Sequence, residues 1–397
     1  MLAENNKRID GWEQCGRGHR RGTIVCMAAH PAEVTAWTDR RRHWWLASVF
    51  MPMLPLAGIT AWLSTGAEGW LWLTPVVLYG LVPLLDHLLG EDETNPPETL
   101  VPELETDPWY RWLAWLAVPA VWLTVTVAAW VAVEGGLGWV GWLGLALSAG
   151  WTSGAGINAG HELGHKKAPL EVWLARAALA PSCYGHFVVE HVRGHHRDVA
   201  TPEDPASSRL GESYYRFMLR EIPGAVRRAW QLERERLAAQ GRGPWHFANH
   251  NLQAWALSVL FWTPLLYWLG PGLLPFLLLQ AVFAYSLLSA ANYVEHYGLK
   301  RQRRPDGRYE RCTPRHSWNS NHVISNLLLY QLQRHSDHHA WPARRYQSLR
   351  HFDEAPQLPT GYYGMFLLAM VPPLWRRVMD PKVLAHAGGD LERINRG

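Results

Sequence analysis

Nine histidines fall in four short motifs: His161-Glu-Leu-Gly-His165, His191-Val-Arg-Gly-His195-His196, Glu295-His296-Tyr-Gly and His335-Ser-Asp-His338-His339. One metal ion takes about six ligands at most, and imidazole-rich sites suit Fe, Cu, Zn or Ni rather than Mg or Ca. Nine imidazoles therefore predict two metals. Each motif lies at or beyond the end of an apolar stretch. Redox metals beside lipid point to dioxygen chemistry on a greasy substrate.

The spacing suggests how the rings divide. His161 and His165 are four apart, which on a helix stacks them on one face, one turn apart. His191/His195 and His335/His339 repeat that spacing, and each pair is expected to chelate one metal. The adjacent pairs His195-His196 and His338-His339 differ, because successive helical residues point about 100° apart. One member of each pair is expected to face one metal and its neighbour the other. Glu162, Glu190, Glu295 and Asp337 accompany the motifs. They are expected behind the rings, accepting the second ring N–H, with direct ligation by one of them as the alternative. His186, His246, His250, His316 and His322 lie near the motifs but lack paired spacing.

A different class of chemistry also fits part of the pattern. His161–His165 reads as H-E-x-x-H, the zinc-peptidase signature in which Glu162 is the general base. An intramembrane metalloprotease would use those two histidines and one more ligand. His191, His195, His196, His335, His338 and His339 would then have no role.

The elements that must position these residues are membrane helices. The chain is 397 residues long and 48% apolar. Its mean hydropathy is slightly negative, but only because the polar residues are gathered into blocks. Residues 44–65, 69–90, 109–133, 137–160, 250–269 and 273–296 are apolar, each near or above the ~20 residues that cross a bilayer. Their flanks are rich in Trp and Tyr, as in an interfacial belt. All 38 Lys and Arg fall in 1–43, 91–111, 161–249 and 297–397. The turns Ser64–Gly69, Glu134–Gly138 and Gly270–Gly272 have none. Six spans and the positive-inside rule then place both termini, the blocks 161–249 and 297–397, and the histidines on the cytoplasmic side.

The expected fold is all-α: six transmembrane helices with a cytoplasmic helical cap that carries the histidines. Residues 44–397 read as a single membrane domain and 1–43 as a cytoplasmic extension, disordered over 1–26, with Met27 an equally good start. The 161–249 block is expected to hold helices around 170–198 and 212–240. The 297–397 block should hold a hairpin at Arg303–Arg308, a helix near 320–340 and an interfacial apolar segment at 361–375. Span four is rich in small residues (Ser148, Gly150, Gly154, Gly156, Gly160), which let backbones approach closely in lipid. Cys15, Cys26, Cys183 and Cys312 form no Cys-x-x-Cys pair, so neither a disulfide framework nor an iron–sulfur site can be built from them. The basic residues share their blocks with most of the 34 acids and show no basic-aromatic repeat, which argues against nucleic-acid binding.

Longer motifs narrow the chemistry. Asn158-Ala-Gly-His-Glu-Leu-Gly-His-Lys-Lys167, Glu190-His-Val-Arg-Gly-His-His196 followed by Ala200-Thr-Pro-Glu-Asp-Pro-Ala206, Asn292-Tyr-Val-Glu-His-Tyr-Gly298 and Leu332-Gln-Arg-His-Ser-Asp-His-His-Ala340 resemble the bacterial alkane 1-monooxygenases. So do Gly90-Glu-Asp-Glu-Thr-Asn-Pro-Pro-Glu98 and Met379-Asp-Pro-Lys382. These enzymes belong to the membrane di-iron superfamily that also contains fatty-acid desaturases and hydroxylases. The resemblance runs from about residue 40 to the C-terminus.

It implies two non-haem irons, O2 as co-substrate, no haem or flavin, and oxidation of an n-alkane at its terminal methyl in the bacterial inner membrane. It implies electrons from rubredoxin, fed by rubredoxin reductase. With no cysteines for a fused rubredoxin, that donor is expected to be a separate protein. A desaturase or hydroxylase of the same superfamily is the nearer alternative. An alkane offers no polar handle, so a pocket can orient it only by shape. Gly154, Ile157, Asn158, Ser289, Asn292 and Tyr293, one and two turns from His161 and His296, are expected to line that pocket with Leu78 and Tyr79. Arg303, Arg304, Arg344 and Arg345 are the candidate docking residues for an acidic donor.

Overall fold

The computed structural model describes residues 37–397, and residues 41–397 form one unit. The expectations for 1–26 and Met27 lie outside the described residues. Five helices are long and apolar enough to cross a membrane: α1 (Trp44–Thr65), α2 (Glu68–Leu89), α3 (Pro108–Glu134), α8 (His250–Leu269) and α9 (Pro271–His296). The sixth expected span is a continuous helix, α4 (Trp139–Gly164), but it is not among those five. Glycine, serine, threonine and asparagine dilute its apolar character.

α4 packs against α3, α9 and α5 (Pro169–Ala178). Its small residues make that possible. A Cβ at Gly156 would lie 2.6 Å from the Ala178 carbonyl oxygen, and one at Gly150 would lie 2.9 Å from that of Gln280. An interior helix needs close neighbours more than lipid-like side chains.

The other helices include α6 (residues 187–198), α7 (Tyr214–Ala238), α10 (Val323–Leu328), α11 (His335–Ala340), α12 (Tyr362–Ala369) and α13 (Pro372–His386). Among the described residues there are no strands, only isolated bridges such as Arg303↔Tyr309, which closes the hairpin expected there. Local chemistry sets the helix starts. Asp107 caps α3, Ser213 caps α7 and Asn249 caps α8, each accepting a backbone N–H of the first turn.

One expectation is corrected. The helix read at 320–340 is two short helices, because Tyr330 and Gln331 adopt left-handed backbone (φ 54° and 52°) between them. The 361–375 segment has two faces, with Leu367, Val371 and Leu374 exposed. Tyr362, Tyr363, Met365, Ala369 and Trp375 are fully buried, and α12 packs on α9.

Candidate metal centre

The nine histidines converge from α4, α6, α9 and α11 into two groups, within each of which the ligand atoms lie within 4.8 Å of one another. His161, His165, His191, His196 and His338 form one group; His195, His296, His335 and His339 form the other. The adjacent pairs 195/196 and 338/339 are divided between the groups, as their 100° divergence requires. His161/His165 and His335/His339 stay together. His191 and His195 do not, which departs from the spacing argument. Residues His191–His195 form a π-turn with five-residue hydrogen bonding. It is His191 and His196, five apart, that face each other, with Nε2 atoms 3.0 Å apart.

Facing imidazole nitrogens are informative. His196 Nε2 lies 3.1 Å from His338 Nε2, and His339 Nε2 lies 2.9 Å from His335 Nε2. Two nitrogens bound about 2.1 Å from one metal at right angles would stand roughly 3 Å apart. The buried Nε2 atoms of His161, His165 and His195 and both ring nitrogens of His296 have no hydrogen-bond partner. Burial first, then the neighbouring rings, pushes His165, His191, His196, His335, His338 and His339 well below the ordinary histidine pKa. Neutral imidazoles with unpartnered lone pairs, in tight sets, form a donor set that fits bound metal ions. His186, His246, His250, His316 and His322 belong to neither group.

The carboxylates are arranged differently from the sequence-based expectation. Glu162 pairs with Lys166 at 3.1 Å, whose Nζ also donates to the Arg344 carbonyl. Glu190 lies 3.8 Å from Arg228, and Asp337 lies 3.3 Å from Arg344. Only Glu295 of the four reaches a ring in the groups, with Oε2 3.1 Å from His335 Nε2. That nitrogen is the one facing His339, so Glu295 stands on the inner side of the ring. The carboxylate behind a ring is one the sequence reading missed: Asp204 accepts from His195 Nδ1 at 2.9 Å. Its signal was present in the Thr201-Pro-Glu-Asp-Pro205 loop after the second motif. The Lys166 pairing also weakens the peptidase reading, since a general base must face the metal's water, not a lysine.

An apolar cavity opens onto the histidines. Its wall includes Met51, Trp151, Gly154, Ile157, Asn158, Leu287, Ala291, Asn292 and Phe366, and it ends at Glu295, His161, His191 and His335. Trp151 and His161 are ten residues apart on α4, so this wall runs about 15 Å along the helix. Four of the eight expected pocket residues line it: Gly154, Ile157, Asn158 and Asn292. The others do not. Ser289 Oγ bonds Glu221 on α7 at 2.6 Å, and the Tyr293 hydroxyl donates to the Glu212 carbonyl. Both sit on the face of α9 turned to α7. Leu78 is buried in the core, and Tyr79 packs edge-on against Trp151.

The four candidate docking arginines also separate. Arg344 and Arg345 have side chains only 13% exposed and pair with Glu98, Asp337 and Glu171. Arg303 is 61% exposed, beside Glu203, and Arg304 is exposed.

Comparison with known proteins gives concordant matches. Residues 137–369 match the fatty acid desaturase family. The chain is 50% identical to alkane 1-monooxygenase 1 of Alcanivorax borkumensis, over 91% of this chain and 90% of the relative. It is 50% identical to the alkane 1-monooxygenase of Pseudomonas putida (90% and 89% covered) and 51% identical to that of Ectopseudomonas oleovorans (90% and 89% covered).

Proposed function

The chain belongs to the alkane 1-monooxygenases, within the fatty acid desaturase family, and on that premise we propose that its two histidine groups hold two iron ions. The protein is a membrane enzyme that hydroxylates alkanes. The finer reading is oxidation of the terminal methyl to a primary alcohol, with O2 as oxidant and electrons from a separate rubredoxin. The observation that carries it is the junction of nine inward-turned imidazoles with a long apolar cavity.

Bound iron would supply the O2 reduction and C–H oxidation that no side chain can perform. The residues do the rest. Trp151, Leu287, Ala291 and Phe366 give an alkyl chain shape without polar contacts, so it lies along α4 with one end at the histidines. Asn158 donates its amide to the Leu329 carbonyl and Asn292 donates to Glu221, so neither amide nitrogen competes for the cavity. The apolar wall excludes water. The neutral rings need not lose protons before binding metal at neutral pH. His161, His165, His191, His196 and His338 would hold one iron and His195, His296, His335 and His339 the other, with Glu295 beside His335.

The membrane arrangement follows the charges. α4 joins the five long apolar helices as a sixth span, with both termini and the histidine cap on the cytoplasmic face of a bacterial inner membrane. Because Arg344 and Arg345 are engaged internally, the docking role falls to the exposed strip at Arg303 and Arg304.

Product analysis tests this reading directly. Purified protein with rubredoxin and its reductase should convert an n-alkane series to 1-alkanols. An alkene or a mid-chain alcohol as the main product would overturn the terminal-hydroxylase assignment.

A further inference from the structure

His195 differs from the other eight histidines. A carboxylate stands on the nitrogen that faces away from its group. That carboxylate, Asp204, also accepts from Ser207 Oγ at 2.7 Å and from Arg228 Nη1 at 3.2 Å. As the acceptor on Nδ1, Asp204 leaves the lone pair on Nε2, which has no other partner, turned into the group.

The same guanidinium reaches the π-turn. Arg228 Nη2 donates to the Gly194 carbonyl at 3.0 Å. A Cβ at Gly194 would lie 2.9 Å from Arg228 Nε and 3.0 Å from Glu190 Oε1, so the arginine rests on a bare α-carbon. The register of this turn decides which histidines share a group. An α-turn would stack His191 over His195. The π-turn instead brings His191 to His196 and sends His195 to the other set. π-turns are rare and concentrate at functional sites.

We propose that Arg228, on α7, is a positioning residue for the metal centre: by holding the Gly194 carbonyl and Asp204 together, it fixes the π-turn and the His195 ring, and so sets the metal affinity of the four-histidine group. This rests on the reading that both groups bind iron. Arg228 also lies beside Asp198 and Glu190, so charge balance is the competing role. The two are separable because the guanidinium holds the Asp204 carboxylate and the Gly194 carbonyl from two separate nitrogens in one rigid plane, a geometry that the single nitrogen of a lysine does not reproduce.

The test is anaerobic titration of metal-free protein in detergent with ferrous iron, followed by 57Fe Mössbauer spectroscopy of the half-loaded samples. Wild type should take up two irons per chain. In R228Q and in D204N, affinity for one of the two should fall about 10–100-fold, the usual effect of removing a partner behind a metal-bound histidine. The other should bind as before, giving a single-site spectrum. R228K should behave as R228Q does. D204N keeps the test valid should R228Q fail to fold, since it removes a buried charge instead of leaving several uncompensated. Wild-type binding of both irons by R228K would reduce Arg228 to charge balance and overturn the proposal, as would wild-type binding by R228Q or D204N. A wild-type protein that takes up fewer than two irons would instead overturn the two-iron reading beneath it.

Discussion

The two histidine groups share α6 and α11 but are completed by different helices, and they are supported differently. The five-histidine group is completed by His161 and His165 from α4, the glycine-rich helix at the centre of the bundle. Its fixity comes from close backbone packing on α5 and α9. The four-histidine group is completed by His296 from α9, and it has the carboxylates: Asp204 behind His195 and Glu295 beside His335. One group has more imidazoles and no acid, the other fewer imidazoles and two acids. Helix packing and polar bonding thus serve as alternative ways to hold rings in place, and the two groups should fail separately.

Removing one ring from each group gives the largest expected effect. H339A should lose the iron of the four-histidine group and H338A should weaken the five-histidine group, each retaining the other iron. Both should lose activity by about 100-fold or more, since small misplacements at a reacting centre cost that much. Iron analysis beside turnover checks this, and loss of both irons from either variant would show that the groups load as one.

A smaller effect separates structural from exposed arginines around the centre. Charge reversal at Arg344, which pairs with Asp337 and Glu98, should cost about 3–5 kcal/mol in thermal or chemical unfolding, as for a buried ion pair broken on one side. Normal unfolding in R344E would mean that the acidic segment around Glu98 is not held by this pair.

Glu221 offers a pH test of the face of α7 that covers α9. It is 2% exposed, with Ser289 and Asn292 as hydrogen-bond partners and, among the described residues, no cation within ion-pair distance. Arg220 on its own helix, Asp204 on the preceding loop and Glu190 on α6 are its nearest charged influences. Burial raises its pKa from 4.5 to about 7, against the hydrogen bonds from Ser289 and Asn292. The folded protein therefore holds a proton that the unfolded chain releases above 4.5, and stability contributed by this group falls as pH rises from 4.5 to 7. E221Q should remove that slope, on the order of 3 kcal/mol across the window. An unchanged pH–stability curve would mean that Glu221 ionises freely.

The smallest effect is expected at Arg303 and Arg304. R303E/R304E should leave unfolding as in wild type, because exposed pairs contribute little. It should raise the apparent Michaelis constant for rubredoxin most at low salt. No change at any salt concentration would move the docking face elsewhere.

The histidine types, their split across adjacent pairs and the close packing of α4 were legible from residue identity and spacing. The His191/His195 pairing was not, because a π-turn carries no 3.6-residue signature and this one is held by Arg228, more than thirty residues later in the chain. Asp204 was missed for a related reason. A loop carboxylate shows its partner only after the left-handed Ala200 (φ 56°) has turned the chain back. Among the pocket residues, α9 supplies a stripe at Leu287, Leu288, Ala291, Asn292 and Glu295. Ser289 and Tyr293 lie on the neighbouring face, a difference fixed by where α7 packs rather than by α9 itself.

Two irons in two separable histidine groups are tested most directly by metal analysis and Mössbauer spectroscopy of wild type, H338A and H339A, each purified and loaded anaerobically with 57Fe. Wild type should hold two irons per chain in two environments, and H339A should hold one, in the environment that H338A disturbs. One metal per chain in wild type, or a single zinc that survives H339A unchanged, would contradict it.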